Sequence, residues 1–345
     1  MFSQKAAPAQ PILPVLQHIV SGCQTLHADS RKIQSDDIFI ACQGEYADGR
    51  NYIADAIARG ASFVYWDDDG AFKWQPEWQV PNQAISDLKQ RAGMLAAQAY
   101  DNLSGSLKII GVTGTNGKTS ITQWLAQAID DLERAPSCAI IGTVGNGFFG
   151  ELQETTHTTP DPVAVQTLIH QFKQQGAKHI AMEVSSHGLA QYRVNGVPFH
   201  TAVFTNLTRD HLDYHGSMAE YGATKARLFY WQGLQNAIIN SDDAFGAALA
   251  AELKKNRGSL KAEGFNEVKT YTYGFNDQAD IRITQFAAST QGMSISLATP
   301  WGNGSAQTQL LGRFNAQNFA AALGALCAAG YDFQAALTAL SRIRP

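Results

Sequence analysis

Cysteine is scarce in this 345-residue chain: Cys23, Cys42, Cys138 and Cys327 lie far apart and never form a C-x-x-C pair. That spacing excludes a disulfide framework and a zinc signature, and it fits a reducing cytoplasm. Charge is modest as well. Lys, Arg, Asp and Glu make up 16% of residues and the formal net charge is −4, whereas a general nucleic-acid or membrane binder needs a basic surface. A local basic pocket for a nucleotide is still compatible with that balance. No apolar run approaches the ~18 residues of a membrane span. The opening MFSQKAAPAQPILPVLQHIV has one lysine and an apolar run broken by Pro11 and Pro14, a poor secretory signal. Repeats and low-complexity tracts are missing. The expectation is a soluble, cytoplasmic protein without nucleic-acid or membrane partners.

Hydrophobic residues make up 45% of the chain, an ordinary globular composition, and the length suffices for two domains or three. Residues 1–20 read as a loose lead-in and a short helix. A polar turn at Asp29-Ser30-Arg31 precedes an apolar strand, Ile38–Ala41, and AIARGASFVYW supplies a helix end, a stop at Gly60 and a strand, Ser62–Trp66. Helical periodicity covers Ile85–Tyr100, and the small polar run Asp101–Ser106 marks a domain boundary near residue 104. Beyond it, strands at Cys138–Val144, His179–Val184, Thr201–Thr205 and Ala237–Asn240 are interspersed with helices at Pro162–Gln175 and Ser217–Trp231. That pattern argues for right-handed βαβ units and a mostly parallel sheet. GNGFFGELQETTHTTPDP reads as a long loop, of a length that is usually functional or disordered. Tyr271–Leu311 alternates as short antiparallel strands, and Phe314–Ala329 and Phe333–Ile343 close the chain as helices. The expected fold class is α/β. A small N-terminal α/β domain over residues 1–104 is followed by a central P-loop-type domain, 105–345, whose mostly parallel sheet has an antiparallel extension.

The stretch Leu107–Leu132, LKIIGVTGTNGKTSITQWLAQAIDDL, runs strand, glycine-rich turn, Lys118-Thr119, helix. Ile121, Trp124, Leu125, Ala128, Ile129 and Leu132 share one helical face. Such a turn aims backbone N–H groups and the positive end of the helix at one point. Gly114 and Gly117 let the backbone approach a phosphate, Lys118 adds charge, and the Thr119 hydroxyl can hold a magnesium ion that bridges phosphates. The strict phosphate-loop pattern asks for glycine where Val112 stands; Gly111 is one place early.

In open α/β sheets ligands bind at the carboxyl ends of the strands, and two further strand ends are chemically loaded. HIAMEV ends at Glu183, which is either a magnesium carboxylate or a strand-end acid turned outward. VFTNLTRDHLDYHG gathers Asp210, His211, Asp213 and His215, either metal ligands or solvated loop residues; the spacing does not choose. Lys225, in YGATKARLF, reads as an ordinary surface lysine on an amphipathic helix.

At these residues the chain resembles the Mur ligases, the ATP-dependent amide-forming enzymes of peptidoglycan assembly. The resemblance rests on GVTGTNGKTS at 111–120, HTTPDP at 157–162, EVSSHGLAQYR at 183–193, FTNLTRDHLDYHG at 204–216 and YGATKARLF at 221–229. It extends to DSRKIQSDDIFIACQGEYADG at 29–49. Together these look like the branch that adds a third, diamino acid to UDP-N-acetylmuramoyl-L-alanyl-D-glutamate. The family loop reads GTNGK[TS], which accounts for the missing glycine.

The resemblance implies a first domain that holds the uridine nucleotide at Ser30, Glu45, Tyr46 and Ala47. It implies ATP on Gly114, Thr115, Asn116, Gly117, Lys118, Thr119 and Ser120, with Asn315 near the adenine. His157, Thr158, Thr159, Ser185, Gln191 and Arg193 match positions that hold the muramyl-dipeptide end. Lys225 matches a lysine carried as a carbamate; carbon dioxide adds only to a neutral amine, so the site must depress its pKa. Two magnesium ions follow, one on Thr119 and Glu183, the other on His211 and the carbamate of Lys225. Lys118, Glu183, His211 and Lys225 are the implied catalytic set. With charge neutralised there, a carboxylate attacks the γ-phosphate, ADP leaves, and an amine then displaces phosphate from the acyl phosphate. UDP-N-acetylmuramoyl dipeptide and a diamino acid (meso-diaminopimelate or lysine) are the implied partners of a monomer. Family members carry a third, amino-acid-binding domain after this point, so a chain ending at SRIRP is expected to bind substrates but ligate poorly. Folylpolyglutamate-type ligases share the GTNGK loop, although the segment Asp29–Gly49 argues against that reading. A nucleotide-binding module that ligates nothing is the other alternative.

Overall fold

A computed structural model describes residues 24–44, 47–101, 107–255 and 267–344. The expected N-terminal helix, Glu45, Tyr46 and the boundary near residue 104 lie outside the described residues. The first part consists of β1 (Leu26–His27), β2 (Ile38–Ala41), α1 (Ile53–Ala58), β3 (Phe63–Asp67), β4 (Asn82–Ile85) and α2 (Leu88–Ala99). Its four strands pair in parallel in that order. Strand alternation sends Ile38 and Ile40 to the face covered by α2, and Phe39 and Ala41 to the face covered by α1.

A second, larger sheet begins with β5 (Lys108–Thr113), α3 (Lys118–Glu133), β6 (Cys138–Gly142), β7 (Gly145–Phe148), α4 (Pro162–Gln174) and β8 (His179–Glu183). The chain continues through α5 (Ser186–Ala190), β9 (Phe199–Phe204), α6 (Leu212–His215), α7 (Met218–Ala226), β10 (Asn236–Asn240) and α8 (Ala244–Lys255). It closes with β11 (Lys269–Gly274), β12 (Ile281–Ser289), β13 (Gly292–Thr299), β14 (Gly302–Thr308), α9 (Arg313–Ala328) and α10 (Phe333–Ser341). The strand order is β14-β13-β12-β11-β10-β9-β5-β8-β6-β7. Pairing is parallel from β12 to β6 and antiparallel at both margins. Helices α3, α9 and α10 bury one face of the sheet, while α4, α7 and α8 bury the other. Five of the six apolar residues assigned to one face of α3 are buried, and Leu132 packs against the same core.

The two sheets are joined closely. Val163 of α4 enters the core of the first sheet. The Tyr100 hydroxyl accepts from Leu26 N (2.8 Å) and from Thr167 Oγ1 (3.3 Å), and Asn195 Nδ2 donates to Gln90 O (2.8 Å). A Cβ on Gly93 would lie 2.2 Å from Asn195 O, so backbone meets backbone there.

Three sequence expectations need correction. The GNGFFG stretch is not all loop, because β7 forms a hairpin with β6. Cβ atoms on Gly145 and Gly147 would lie 2.6 Å from the carbonyls of Gln153 and Glu151, so crowding demands the glycines that disguise the strand. Tyr271–Leu311 is not wholly antiparallel: β11 pairs parallel with β10 along five residues before the sheet reverses at β13. Helix α8 was not foreseen, and the helix expected from Ile85 starts at Leu88 because Ile85 ends β4. Among the described residues no helix is long and apolar enough to cross a membrane.

At the start of β8, His179 is 5% exposed, and its Nε2 has no hydrogen-bond partner among the described residues. Burial, and after it the Lys108 charge, lowers its pKa from 6.5 to about 4. The folded state therefore holds His179 neutral where the unfolded chain would protonate it. Stability present above pH 6.5 is lost as pH falls toward 4, by at most about 3 kcal/mol. Urea unfolding followed across that range should show a flatter acid limb for His179→Phe than for the parent.

Candidate active site

Past β5 the chain turns through Gly114 (φ +140°) and Gly117 (φ +87°) into α3. A Cβ on Gly114 would lie 1.9 Å from Thr205 Oγ1, and one on Gly117 2.7 Å from Asn318 Oδ1. The turn is braced by residues just past β9. Thr115 N donates to Asn206 O (2.8 Å), Asn116 N to Asn206 Oδ1 (3.1 Å) and Thr205 Oγ1 to Asn116 O (2.6 Å). Thr115 Oγ1 accepts from Thr208 N (3.0 Å) and lies 3.3 Å from the Tyr221 hydroxyl. Lys118 curls back, its Nζ donating to the carbonyls of Gly114 (3.0 Å) and Thr115 (2.8 Å). Burial holds this ammonium below the ordinary lysine range, against the pull of Glu183 and Asp210.

Glu183 turns inward rather than outward and is 1% exposed. Its carboxylate receives the Thr119 hydroxyl at 3.0 Å from both oxygens, Thr143 N at 2.8 Å on Oε1 and Thr143 Oγ1 at 3.1 Å on Oε2. A Cβ on Gly142 would come within 2.4 Å of Oε1, so the turn after β6 wraps the carboxylate closely. The 3.0 Å between hydroxyl and carboxylate oxygens suits neighbouring corners of an octahedral magnesium shell, where ~2.1 Å bonds put adjacent ligands about 3 Å apart. Two hard oxygens at that separation fit the ion.

Lys225 is not the surface lysine that its helix suggests. It is 1% exposed, because α7 turns Tyr221 and Lys225, four residues apart, toward the phosphate loop. Its Nζ donates to Gly114 O (3.0 Å), the carbonyl that Lys118 also uses, and lies 4.5 Å from the Tyr221 ring centroid. Burial first, then the Lys118 charge, push its pKa down to about 7, with Asp210 opposing. As an amine it donates and offers no ligand oxygen; only a carbamate could hold a second metal. His211 is half-exposed, at φ +50°, 3.4 Å from Asp210 Oδ2, its ring against His187 (4.8 Å) and Tyr221 (6.1 Å). Asp213 is exposed, and His215 bonds Ser186 Oγ at 3.0 Å. Among the described residues no group of three or more His, Cys, Asp or Glu could hold a metal, so Asp210–His215 is not a self-contained centre.

Ser30, Ala47, Gln191 and Arg193 line one cavity of 670 Å³ between the two sheets. Arg193 donates to Gln191 Oε1 and to Thr159 O, both at 2.8 Å. Thr159 is buried, and its hydroxyl is occupied by Glu183 O, Ser185 N and Ser185 Oγ, so it shapes the site from behind. Thr158 Oγ1 sits 3.1 Å from Thr143 Oγ1. His157 faces a different cavity, of 360 Å³, shared with His27 and Lys32. Asn315 lines a 390 Å³ cavity with Thr119 and Ser120; Asn116, Gly117 and Asn318 line another of 430 Å³. Sequence reasoning missed Thr143, Asn206, Tyr221 and Asn318. Thr143 directly follows β6, and Asn206 stands two residues past β9. Gly114→Ala should lower unfolding free energy by about 1–3 kcal/mol, because it forces a Cβ into a glycine-only backbone region against Thr205; urea denaturation measures this.

Residues 112–326 match the Mur ligase middle domain, and residues 23–100 match the Mur ligase family catalytic domain. The UDP-N-acetylmuramoyl-L-alanyl-D-glutamate–2,6-diaminopimelate ligase of Neisseria meningitidis serogroup A is 60% identical over 345 residues, 100% of this chain and 68% of that protein. The ligase of the same name from Chromobacterium violaceum is 50% identical over 331 residues, 96% of this chain and 64% of that protein. A solved structure of a ligase of this name matches with a TM-score of 0.77 at 34% identity, over 93% of this chain and 62% of that one. This chain thus spans about two thirds of the length of the relatives it matches. With both domain models matched and 60% identity along its whole length to one member, the chain belongs to the Mur ligase family.

Proposed function

We propose that this chain is the UDP-substrate- and ATP-binding part of an amide ligase of peptidoglycan-precursor synthesis. The enzyme joins a diamino acid, 2,6-diaminopimelate in the similar proteins, to UDP-N-acetylmuramoyl-L-alanyl-D-glutamate through an acyl phosphate. The observation that carries this reading is the meeting of Lys118 and Lys225 on the Gly114 carbonyl, beside the Thr119–Glu183 pair. We infer a division near residue 104, with the uridine nucleotide in the 670 Å³ cavity at Ser30, Ala47, Gln191 and Arg193. Glu45 and Tyr46 belong to the same proposed set, as do Thr158, Thr159, Ser185 and His157 for the dipeptide end. ATP lies along residues 114–120, with its base toward Asn315. The enzyme acts as a cytoplasmic monomer.

In the chemistry, Lys118 meets the phosphates with a cation held close to the loop. Thr119 and Glu183 would hold one magnesium ion, and His211 with a carbamate on Lys225 would hold the second. When bound, magnesium neutralises and aligns the anionic oxygens of carboxylate and triphosphate. Arg193, fixed by Gln191 and the Thr159 carbonyl, orients the substrate arm from the cavity side. Carbamylation of Lys225 has a physical basis: the neutral amine's lone pair bonds the carbon of CO2, and the amine releases a proton to water. Burial and the Lys118 charge, which bring its pKa to about 7, supply the neutral amine.

Calorimetry on this chain should show binding of UDP-N-acetylmuramoyl-L-alanyl-D-glutamate but not of a folate. Phosphate release from ATP should require both that substrate and an amine; release without either would point to a plain nucleotide-binding module. After equilibration with 13C-bicarbonate, NMR should show one carbamate signal that is lost in Lys225→Ala. A spectrum identical in the two proteins would remove the carbamate from this account.

A further inference from the structure

We propose that Thr143 is a positioning residue that holds the Glu183 carboxylate for its metal and links that carboxylate to Thr158, in the segment before α4 that the proposed function assigns to the dipeptide end. The inference rests on the function proposed above and deepens it. Among the described residues, the Glu183 carboxylate has four hydrogen-bond contacts to two donor residues, Thr119 and Thr143. A Thr119 hydroxyl engaged with a cation offers an oxygen lone pair to the ion and keeps its single proton, which serves one carboxylate oxygen at a time. Thr143 supplies a donor to each oxygen, its N–H on Oε1 and its hydroxyl on Oε2. The threonine hydroxyl has a single proton. Two acceptors, Glu183 Oε2 and Thr158 Oγ1, each lie 3.1 Å from the Thr143 hydroxyl, and the charged carboxylate is the stronger of them. The resulting chain of contacts runs Thr158–Thr143–Glu183–Thr119, from the segment before α4 to the phosphate loop. Any ligand that draws Thr158 away changes the acceptor set around Thr143. Substrate and metal–nucleotide affinities are therefore linked, and linkage is reciprocal.

Thr143 is exposed, on the turn between β6 and β7, so substitution there spares the core. The test is calorimetry of ADP binding to the 345-residue chain, with magnesium or with EDTA, each with and without UDP-N-acetylmuramoyl-L-alanyl-D-glutamate. Outer partners of metal ligands commonly contribute about 10–100-fold in metal affinity. Thr143→Val should weaken magnesium-dependent ADP binding by about that factor, leave ADP binding in EDTA unchanged, and abolish the effect of the UDP substrate on ADP affinity. Thr143→Ser keeps both donors and should restore all three properties. Unchanged magnesium-dependent binding in Thr143→Val overturns the inference alone, as does an equal loss in EDTA. A parent chain that binds no ADP under any condition overturns the proposed function and this inference with it.

Discussion

The ammonium groups of Lys118 and Lys225 both donate to the Gly114 carbonyl, each at 3.0 Å, and are therefore at most about 6 Å apart. At an effective dielectric of about 20, like charges at that distance repel by roughly 3 kcal/mol. Neither lysine can relax into solvent: Lys225 is sealed under Tyr221, and Lys118 is folded against its own loop. Burial and mutual repulsion lower the Lys225 pKa together. An anion brought to either side removes the conflict, a phosphate at the loop or a carboxylate-type group on the second lysine. The site is thus built for negative charge while the protein as a whole is mildly acidic, with a net charge of −4.

That convergence depends on sheet order. The loop after β5, the acid ending β8, the brace after β9 and the turn after β6 are separated by tens of residues. The order β9-β5-β8-β6 nevertheless puts their carboxyl ends side by side. Parallel pairing sets the level: Val112 stands opposite Glu183, and Thr113 opposite Phe204. A slip of one residue would turn each side chain to the other face of the sheet. Inward-turned Glu183 and the Asn206 brace depend on the same register.

Much of this was legible in the residues. The phosphate loop, its helix and the strand ending at Glu183 have strong local signatures, and the structure places them as expected. Lys225 was not legible, because helical periodicity cannot distinguish a lysine facing solvent from one facing a buried carbonyl 111 residues away. Thr143 was hidden for a related reason, since its function depends on pairing with a carboxylate on another strand. The β7 hairpin escaped notice because its glycines, required by backbone crowding, look like loop composition. His157 shows the converse: the resemblance groups it with Gln191 and Arg193, yet it lines a different cavity from theirs.

The choice of threonine around Glu183 has its own logic. A lysine or arginine partner would neutralise the carboxylate and compete with a cation for its oxygens. Threonine hydroxyls and a backbone N–H fix the geometry while leaving the negative charge available. The same device recurs behind the cavity lined by Gln191 and Arg193, where the buried Thr159 hydroxyl binds Glu183 O, Ser185 N and Ser185 Oγ. Arg193 reaches that segment through the Thr159 carbonyl, not through a carboxylate. Neutral groups thus position the charged ones throughout the site, so the charges of Glu183 and Arg193 stay uncommitted to one another and free for ligands.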